Sequence, residues 1–479
     1  MLKIFYKIIY ILFIISLIIL GIEIFNLGII PNKYLLPIII TTLLLIIIIT
    51  LGFILSKKKA IKIVISIIEI ICIIISIVTI IYMHNTNNFF NKIKNDKSET
   101  NIYYLIVEKN SKYTKTKELN NKTIGVFEEN KKATKKLKEE INYKQEKINQ
   151  IKEIIKKANN IDSIFINSAY YDLLCEENKT FEKNNKIIGK IQINNKNTLK
   201  NKSVDITKEP YSILISGIDT DGPISTTSRS DVNIIMTINP NTHKILLNHI
   251  PRDYYVQLHG TTGLKDKLTH SGVYGINMTV QTIEDLLNID INYYIRVNFT
   301  SLVNVVDAIG GIDVESDRAF SENGYNFKKG TNHLNGKEAL MYSRIRHVLP
   351  GGDRYRGVHQ EDVITAILNK ATTSTTILNN YNELLKTLSN SFQTNLSSKD
   401  IKKFIKNQID NPKKWEIETY NLDGQSTMGP TYTKVNEQNH IHIMVPYQNT
   451  IDKAKQKIKD YLNSWKTSFF WQIMTIFLL

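Results

Sequence analysis

Three long apolar runs open the chain, at residues 4–25, 35–55 and 61–83. Each is about the 20 residues needed to cross a bilayer's hydrocarbon core as a helix. A cleaved signal peptide would offer one shorter run and a small-residue cleavage site, so three spans are expected instead. Their flanks set a direction. Lys3 and Lys7 precede the first run, and Lys57, Lys58, Lys59 and Lys62 crowd the loop between the second and third. The loop between the first and second carries only Lys33. Basic loops stay in the cytoplasm, so everything after about Asn85 is expected outside. Glu69 lies within the third run, where contact with another span or a partner is one reading and an interfacial position is the plainer one.

Beyond the spans the pattern turns polar and then mixed. Residues 85–100 read as an Asn- and Lys-rich linker. Between 101 and 200, short apolar runs ("IYYLIV", "TIGVF") alternate with charged helical stretches ("NKKATKKLKEEI", "QEKINQIKEIIKKA"). That alternation predicts a small α/β accessory domain, and no catalytic constellation stands out in it. From 210 to 410 short strands and tight turns predict a second, larger α/β domain. Residues 411–465 add strands and a helix that complete it, and an apolar tail fills 466–479.

The candidate chemistry sits early in the larger domain. "SILISGI" predicts a strand ending at Asp219, "VNIIMTI" a strand starting just after Asp231, and "KILLNHI" a strand ending at Pro251-Arg252-Asp253. Consecutive short connections favour antiparallel neighbours. Asp219, Arg229, Asp231 and Arg252 then gather at one sheet edge. Carboxylates with guanidinium forks suit a divalent cation beside a phosphate; surface ion pairs are the plainer alternative. Further on, Arg344 and Arg346 lie two apart, and in an extended segment they share a side. Asp353 reads as an N-cap, and Arg356 and Gln360 share a helix face four residues apart. Three arginines and a glutamine beside a helix N-terminus read as a phosphate cradle. The segment "INYYIRVNFTSLVNVVDAIGGIDVES" reads as core or as the wall of an apolar pocket.

Charge adds one constraint. The 479 residues carry a formal net charge of +16, which favours polyanionic neighbours, although an Ile-, Lys- and Asn-rich composition accounts for part of it. An external domain without a nucleic-acid recognition motif leaves an anionic membrane face or glycopolymer as the partner. Two cysteines, Cys72 in the third run and Cys175 in the polar region, are too differently placed to predict a disulfide.

The segments "GIDT", "SRSDVNIIMTINPNT", "IPRDYYV", "KLTHSGVYG", "YIRVNFTSLVNVVDAIGGIDV", "LNGKEALMYSRIRH" and "GGDRYRGVHQ" occur in order between Tyr211 and Ala371. In them the chain resembles the LytR-CpsA-Psr family of cell-wall glycopolymer ligases. The resemblance implies an α/β/α catalytic domain with a central mixed sheet and a lipid-binding apolar pocket. It implies transfer of a teichoic-acid- or capsule-type polymer from an undecaprenyl-pyrophosphate carrier to peptidoglycan through a phosphodiester. It places Mg2+ (or Mn2+) on Asp219 and Asp231. It assigns Arg229, Arg252, Lys267, Arg344, Arg346, Arg356 and Gln360 to pyrophosphate. Asp231, Arg252 and Arg344 are the expected catalytic residues, with Asp231 the first choice for a base. The chain departs from the family pattern at His359 and Glu361, and Gly357 weakens the helix start. A hydrolase of the same lipid-linked substrate, or a non-catalytic polyprenyl-phosphate-binding regulator, are the competing expectations. The location implied is the cell membrane, multi-pass, with both polar domains external.

Overall fold

The computed structural model describes residues 2–93, 98–127, 130–149, 151–156, 161–196, 199, 202–218, 220, 223–345, 353–373, 381–434, 436 and 438–478. Three helices, α1 (Leu2–Leu27), α2 (Asn32–Leu55) and α3 (Lys59–Ile93), are long and apolar enough to cross a membrane. Their outward residues are mostly exposed Ile and Leu, as a lipid-facing bundle requires. Helix α3 runs ten residues past the apolar stretch, through much of the segment expected to be a linker. Phe89 and Phe90 are the reason: both are buried, and they pack with Leu27 and Leu385 under the larger domain. Glu69 is buried within the helical bundle.

The accessory domain is a five-stranded sheet of β1 (Ser98–Glu108), β2 (Lys122–Phe127), β3 (Tyr143–Ile148), β4 (Ser163–Asn167) and β5 (Asn185–Lys196), in the order β3-β2-β4-β1-β5. Helix α4 (Lys131–Glu140) appears as expected, with Asn130 as its N-cap. The stretch "QEKINQIKEIIKKA" divides. Its first part belongs to β3, paired in parallel with β2, and among its described residues α5 (Ile151–Lys156) is the helical part. Strand pairing overrides the helix propensity of Gln, Glu and Lys there. Helices α6 (Ser168–Glu177) and α7 (Lys179–Asn184) follow. The α6 face of this sheet shares one apolar cluster with Val273, Ile441 and Ile443 of the larger domain. The two domains therefore pack as one body.

The larger domain centres on a six-stranded mixed sheet. Strands β6 (Tyr211–Ile218), β7 (Ser230–Asn239) and β8 (Lys244–His249) are consecutive and antiparallel. A ribbon of β9 (Tyr255–Val256) and β10 (Asp266–Lys267) follows, then α8 (Ile276–Leu287) and β11 (Tyr293–Asn298), which joins β6 in parallel. The Glu416–Asn421 strand runs parallel to β8 at one edge of the sheet, so part of the 411–465 segment is built into it. Alternation along each strand feeds two helix layers. Leu214, Ile235 and Leu246 face α8 and the start of the Gln448–Leu478 helix, which continues through the apolar tail. Ile213, Ile234, Met236 and Leu247 face the other way. There lie α9 (Phe299–Ala308), α10 (Gly336–Arg344), α11 (Asp353–Thr373) and the Tyr381–Ser391 helix. The expected α/β/α architecture is present.

Candidate active site

The sheet edge gathers charge as the strand order requires. Strand β7 starts where β6 ends, with Ser230 opposite Ile218, and β8 ends opposite Ile234. Asp231 is thereby set beside Arg252. One Asp231 oxygen takes a short hydrogen bond from Arg252 Nη1, and the other accepts from Thr269 Oγ1 at 2.6 Å. Burial alone would raise the Asp231 pKa, but Arg252 and Arg229 outweigh it and hold the carboxyl well below the usual range. It stays charged at every physiological pH and is a poor proton acceptor. That chemistry suits charge stabilisation or cation binding better than the base role expected of it. Gly272 sits beneath this turn. A Cβ there would lie 2.5 Å from Ser228 O and from Ser230 N, so only glycine lets the 268–274 turn approach the backbone around Arg229.

Arg229, Asp231, Arg252, Arg344, Arg356 and Gln360 all line one cavity of about 540 Å3. Arg344 reaches it from the last turn of α10 rather than from an extended segment, with its guanidinium 4.2 Å from the Phe299 ring centre. Arg356 and Gln360 come from one face of α11. Gln360 Nε2 donates to Ser343 O at 3.4 Å, tying α11 to α10. Away from the charges the walls are apolar. Ile215 and Met236 come from the sheet, Leu302 and Val305 from α9, and Ile367 from α11. Leu388 and Phe392 line the cavity and also join the cluster around Phe89 and Phe90, so the apolar end adjoins the membrane helices.

Three expected site residues are not placed in that cavity. Asp219 and Arg346 lie outside the described residues. Lys267 is buried against Asp253, Nζ to Oδ1 2.6 Å, behind Arg252 and away from the cavity lining. Burial would raise the Asp253 pKa, yet Lys267 holds that carboxyl well below its usual range. Asp253 in turn lies 3.5 Å from Arg252 Nε. Lys267 thus supports Arg252 indirectly.

Sequence reasoning missed Glu176. This last-turn residue of α6, in the accessory domain, pairs with Arg252 Nη2 at 3.3 Å and closely with Arg229. No local signal marked it, because its partners lie more than fifty residues downstream. The departures from the family pattern point away from the cavity. His359 is caged by Phe320, Tyr342 and Tyr355, 4.2 Å from the Tyr342 ring centre. Burial lowers its pKa to about 4, so the ring is neutral at pH 7. Glu361 accepts from Asn421 Nδ2 at 2.9 Å, and burial pushes its pKa up to about 8. Gly357 has a packing reason: a Cβ there would lie 2.4 Å from the ring of buried His249 in β8.

As for a cation, Asp231 offers a charged carboxylate with lone pairs beyond the two already engaged. Mg2+ commonly needs only one or two carboxylates together with substrate phosphate oxygens. The residues present fit such an ion jointly held with phosphate.

Comparison with known proteins identifies the family. The profile of the LytR_cpsA_psr family matches residues 174–450, more than half of the chain. Among curated relatives, the polyisoprenyl-teichoic acid–peptidoglycan teichoic acid transferase TagU of Enterococcus faecalis is 35% identical over 263 residues, covering 54% of this chain and 81% of that protein. TagU of Bacillus subtilis is 42% identical over 205 residues, covering 42% of this chain and 65% of that protein. The crystal structure of B. subtilis TagU covers 53% of this chain and 97% of its own, at 34% identity and a TM-score of 0.41.

Proposed function

The chain belongs to the LytR_cpsA_psr family, and on that premise we propose that it transfers an anionic glycopolymer of teichoic acid or capsule type to peptidoglycan. The donor in this reading is an undecaprenyl-pyrophosphate-linked polymer, and the product is a phosphodiester. One observation carries it: a single cavity joins four arginines and a charged aspartate at one end to apolar walls that run toward the membrane helices. A pyrophosphate head on a polyprenyl tail has that same division of character.

In this reading Arg229, Arg252, Arg344 and Arg356 hold the pyrophosphate oxygens, and Gln360 orients them. An acceptor hydroxyl oxygen attacks the sugar-proximal phosphorus. A new P–O bond forms, the bond to the bridging oxygen breaks, the polyprenyl monophosphate leaves, and one proton is released. Such transfer depends mainly on positioning and charge stabilisation. A Mg2+ or Mn2+ ion on Asp231, with Asp219 as its expected second carboxylate, would neutralise charge on the pyrophosphate. The three apolar helices anchor the protein in the membrane, and their basic flanks favour placing both polar domains outside.

The test is a transfer assay on the full chain in detergent. It combines a polyprenyl-pyrophosphate-linked glycan, peptidoglycan fragments and Mg2+, with Asp231→Ala as control. Glycan joined covalently to peptidoglycan, and lost in the control, is the expected result. Free phosphorylated glycan without attachment would make the protein a hydrolase. Tight lipid binding without turnover would make it a binding protein.

A further inference from the structure

The Ser398–Asp410 helix lies against the membrane helices. Ile401 and Ile405 pack with Phe89 and Phe90 at the outer end of α3, and Phe404 joins the cluster on the sheet. A different side carries Lys399, Lys402, Lys403 and Lys406. Their spacing places them on one stripe of the helix surface. These four lysines line a groove of about 430 Å3 whose opposite wall is Asn26, Leu27 and Gly28, the end of α1. The stripe of positive charge therefore lies level with the point where α1 leaves its apolar zone.

Two lysines are tethered. Lys402 Nζ donates to Asn87 Oδ1 at 3.2 Å and lies 5.1 Å from the Phe90 ring centre. Lys403 pairs with Asp205 at 3.5 Å. Among the described residues, Lys399 and Lys406 have neither an ion pair nor a hydrogen bond. Just below the groove, Ile22 and Phe25 of α1 are 55% and 84% exposed. A ligand that fits must bring an anion to the lysines and an apolar chain to α1.

We propose that this groove binds the headgroup phosphate of an anionic phospholipid from the surrounding leaflet. The bound lipid sets the height and tilt of the catalytic domain, and with them the place of the cavity's Leu388–Phe392 end above the bilayer. The proposal rests on the reading of α1 to α3 as membrane spans. Lysines near a bilayer surface gain affinity for anionic lipid individually, so a stripe of four supplies a preference that zwitterionic lipid does not satisfy.

The test is native mass spectrometry of the full chain in detergent, titrated with phosphatidylglycerol or with phosphatidylcholine of matched chains. Wild type is expected to retain phosphatidylglycerol preferentially. Lys399→Gln with Lys406→Gln is expected to weaken that binding by roughly thirtyfold, with unchanged circular dichroism. Equal phosphatidylglycerol affinity in wild type and double variant overturns the proposal. So does a variant that loses binding of soluble poly(glycerol phosphate) while keeping phosphatidylglycerol, since that assigns the groove to polymer. Release of the wild-type chain from membranes by alkaline carbonate would instead overturn the membrane reading beneath it.

Discussion

The two ends of the central cavity are built by opposite rules. At the charged end, position is held by pairing: Asp231 is engaged by Arg252 and Thr269, and Arg252 is also engaged by Glu176. At the apolar end, position is held by packing, with Leu302, Val305 and Ile367 presented by helices that also pack into the core. A change at the charged end removes an interaction of fixed geometry. A change at the apolar end removes area. Substitutions at the two ends should therefore differ in kind as well as in size.

The largest effect is expected at Asp231. Asp231→Asn keeps the shape and removes the charge, and the transfer rate should fall by about 100- to 1000-fold, as when a preorganised electrostatic group is lost. A fall in KM terms alone would place Asp231 outside the reacting centre. Next comes the apolar wall. Ile367→Ala should raise KM for a long polyprenyl donor by about tenfold. It should leave kcat and the KM of a short-chain donor nearly unchanged. Equal effects on both donors would break the comparison, because the wall would then not contact the tail.

Smaller changes sharpen it. The Glu176 carboxylate occupies two guanidinium groups that a phosphate would use, so Glu176→Gln should lower KM by roughly threefold to fivefold. A raised KM would show instead that Glu176 aligns the arginines for substrate. The smallest effect is on stability. Glu361 is buried with its pKa raised to about 8. A raised carboxyl pKa contributes stability that is complete below the unfolded value near pH 4.5 and is lost as pH rises through 8. Glu361→Gln should therefore flatten the decline in melting temperature between about pH 5 and 8. A decline of unchanged slope would assign it to another group.

The same contrast explains what could be read from the sequence. Strands β6, β7 and β8 were legible because their apolar runs are short and their turns explicit, and antiparallel pairing then placed Arg229, Asp231 and Arg252 together. Arg356 and Gln360 were legible from helical spacing. Contacts between distant segments were not. Glu176 reaches the site only because α6 packs on Val273, Ile441 and Ile443, a docking that no local pattern encodes. Phe89 and Phe90 looked like part of a polar linker until Leu385 supplied their partner. His359 and Glu361, where the chain departs from the family pattern, flank Gln360 in sequence. On a helix, neighbours in sequence point in different directions, and both face the core.

The central claim is that one cavity takes the pyrophosphate at its arginines and the lipid along its apolar wall. Photo-crosslinking of the full chain with a polyprenyl pyrophosphate bearing a photoreactive group in its tail tests this most directly, with adducts mapped by peptide mass spectrometry. The account predicts adducts in the α9 and α11 peptides that contain Leu302, Val305 and Ile367, competed away by unlabelled polyprenyl pyrophosphate. Competed adducts confined to α1, α2 and α3 would contradict it.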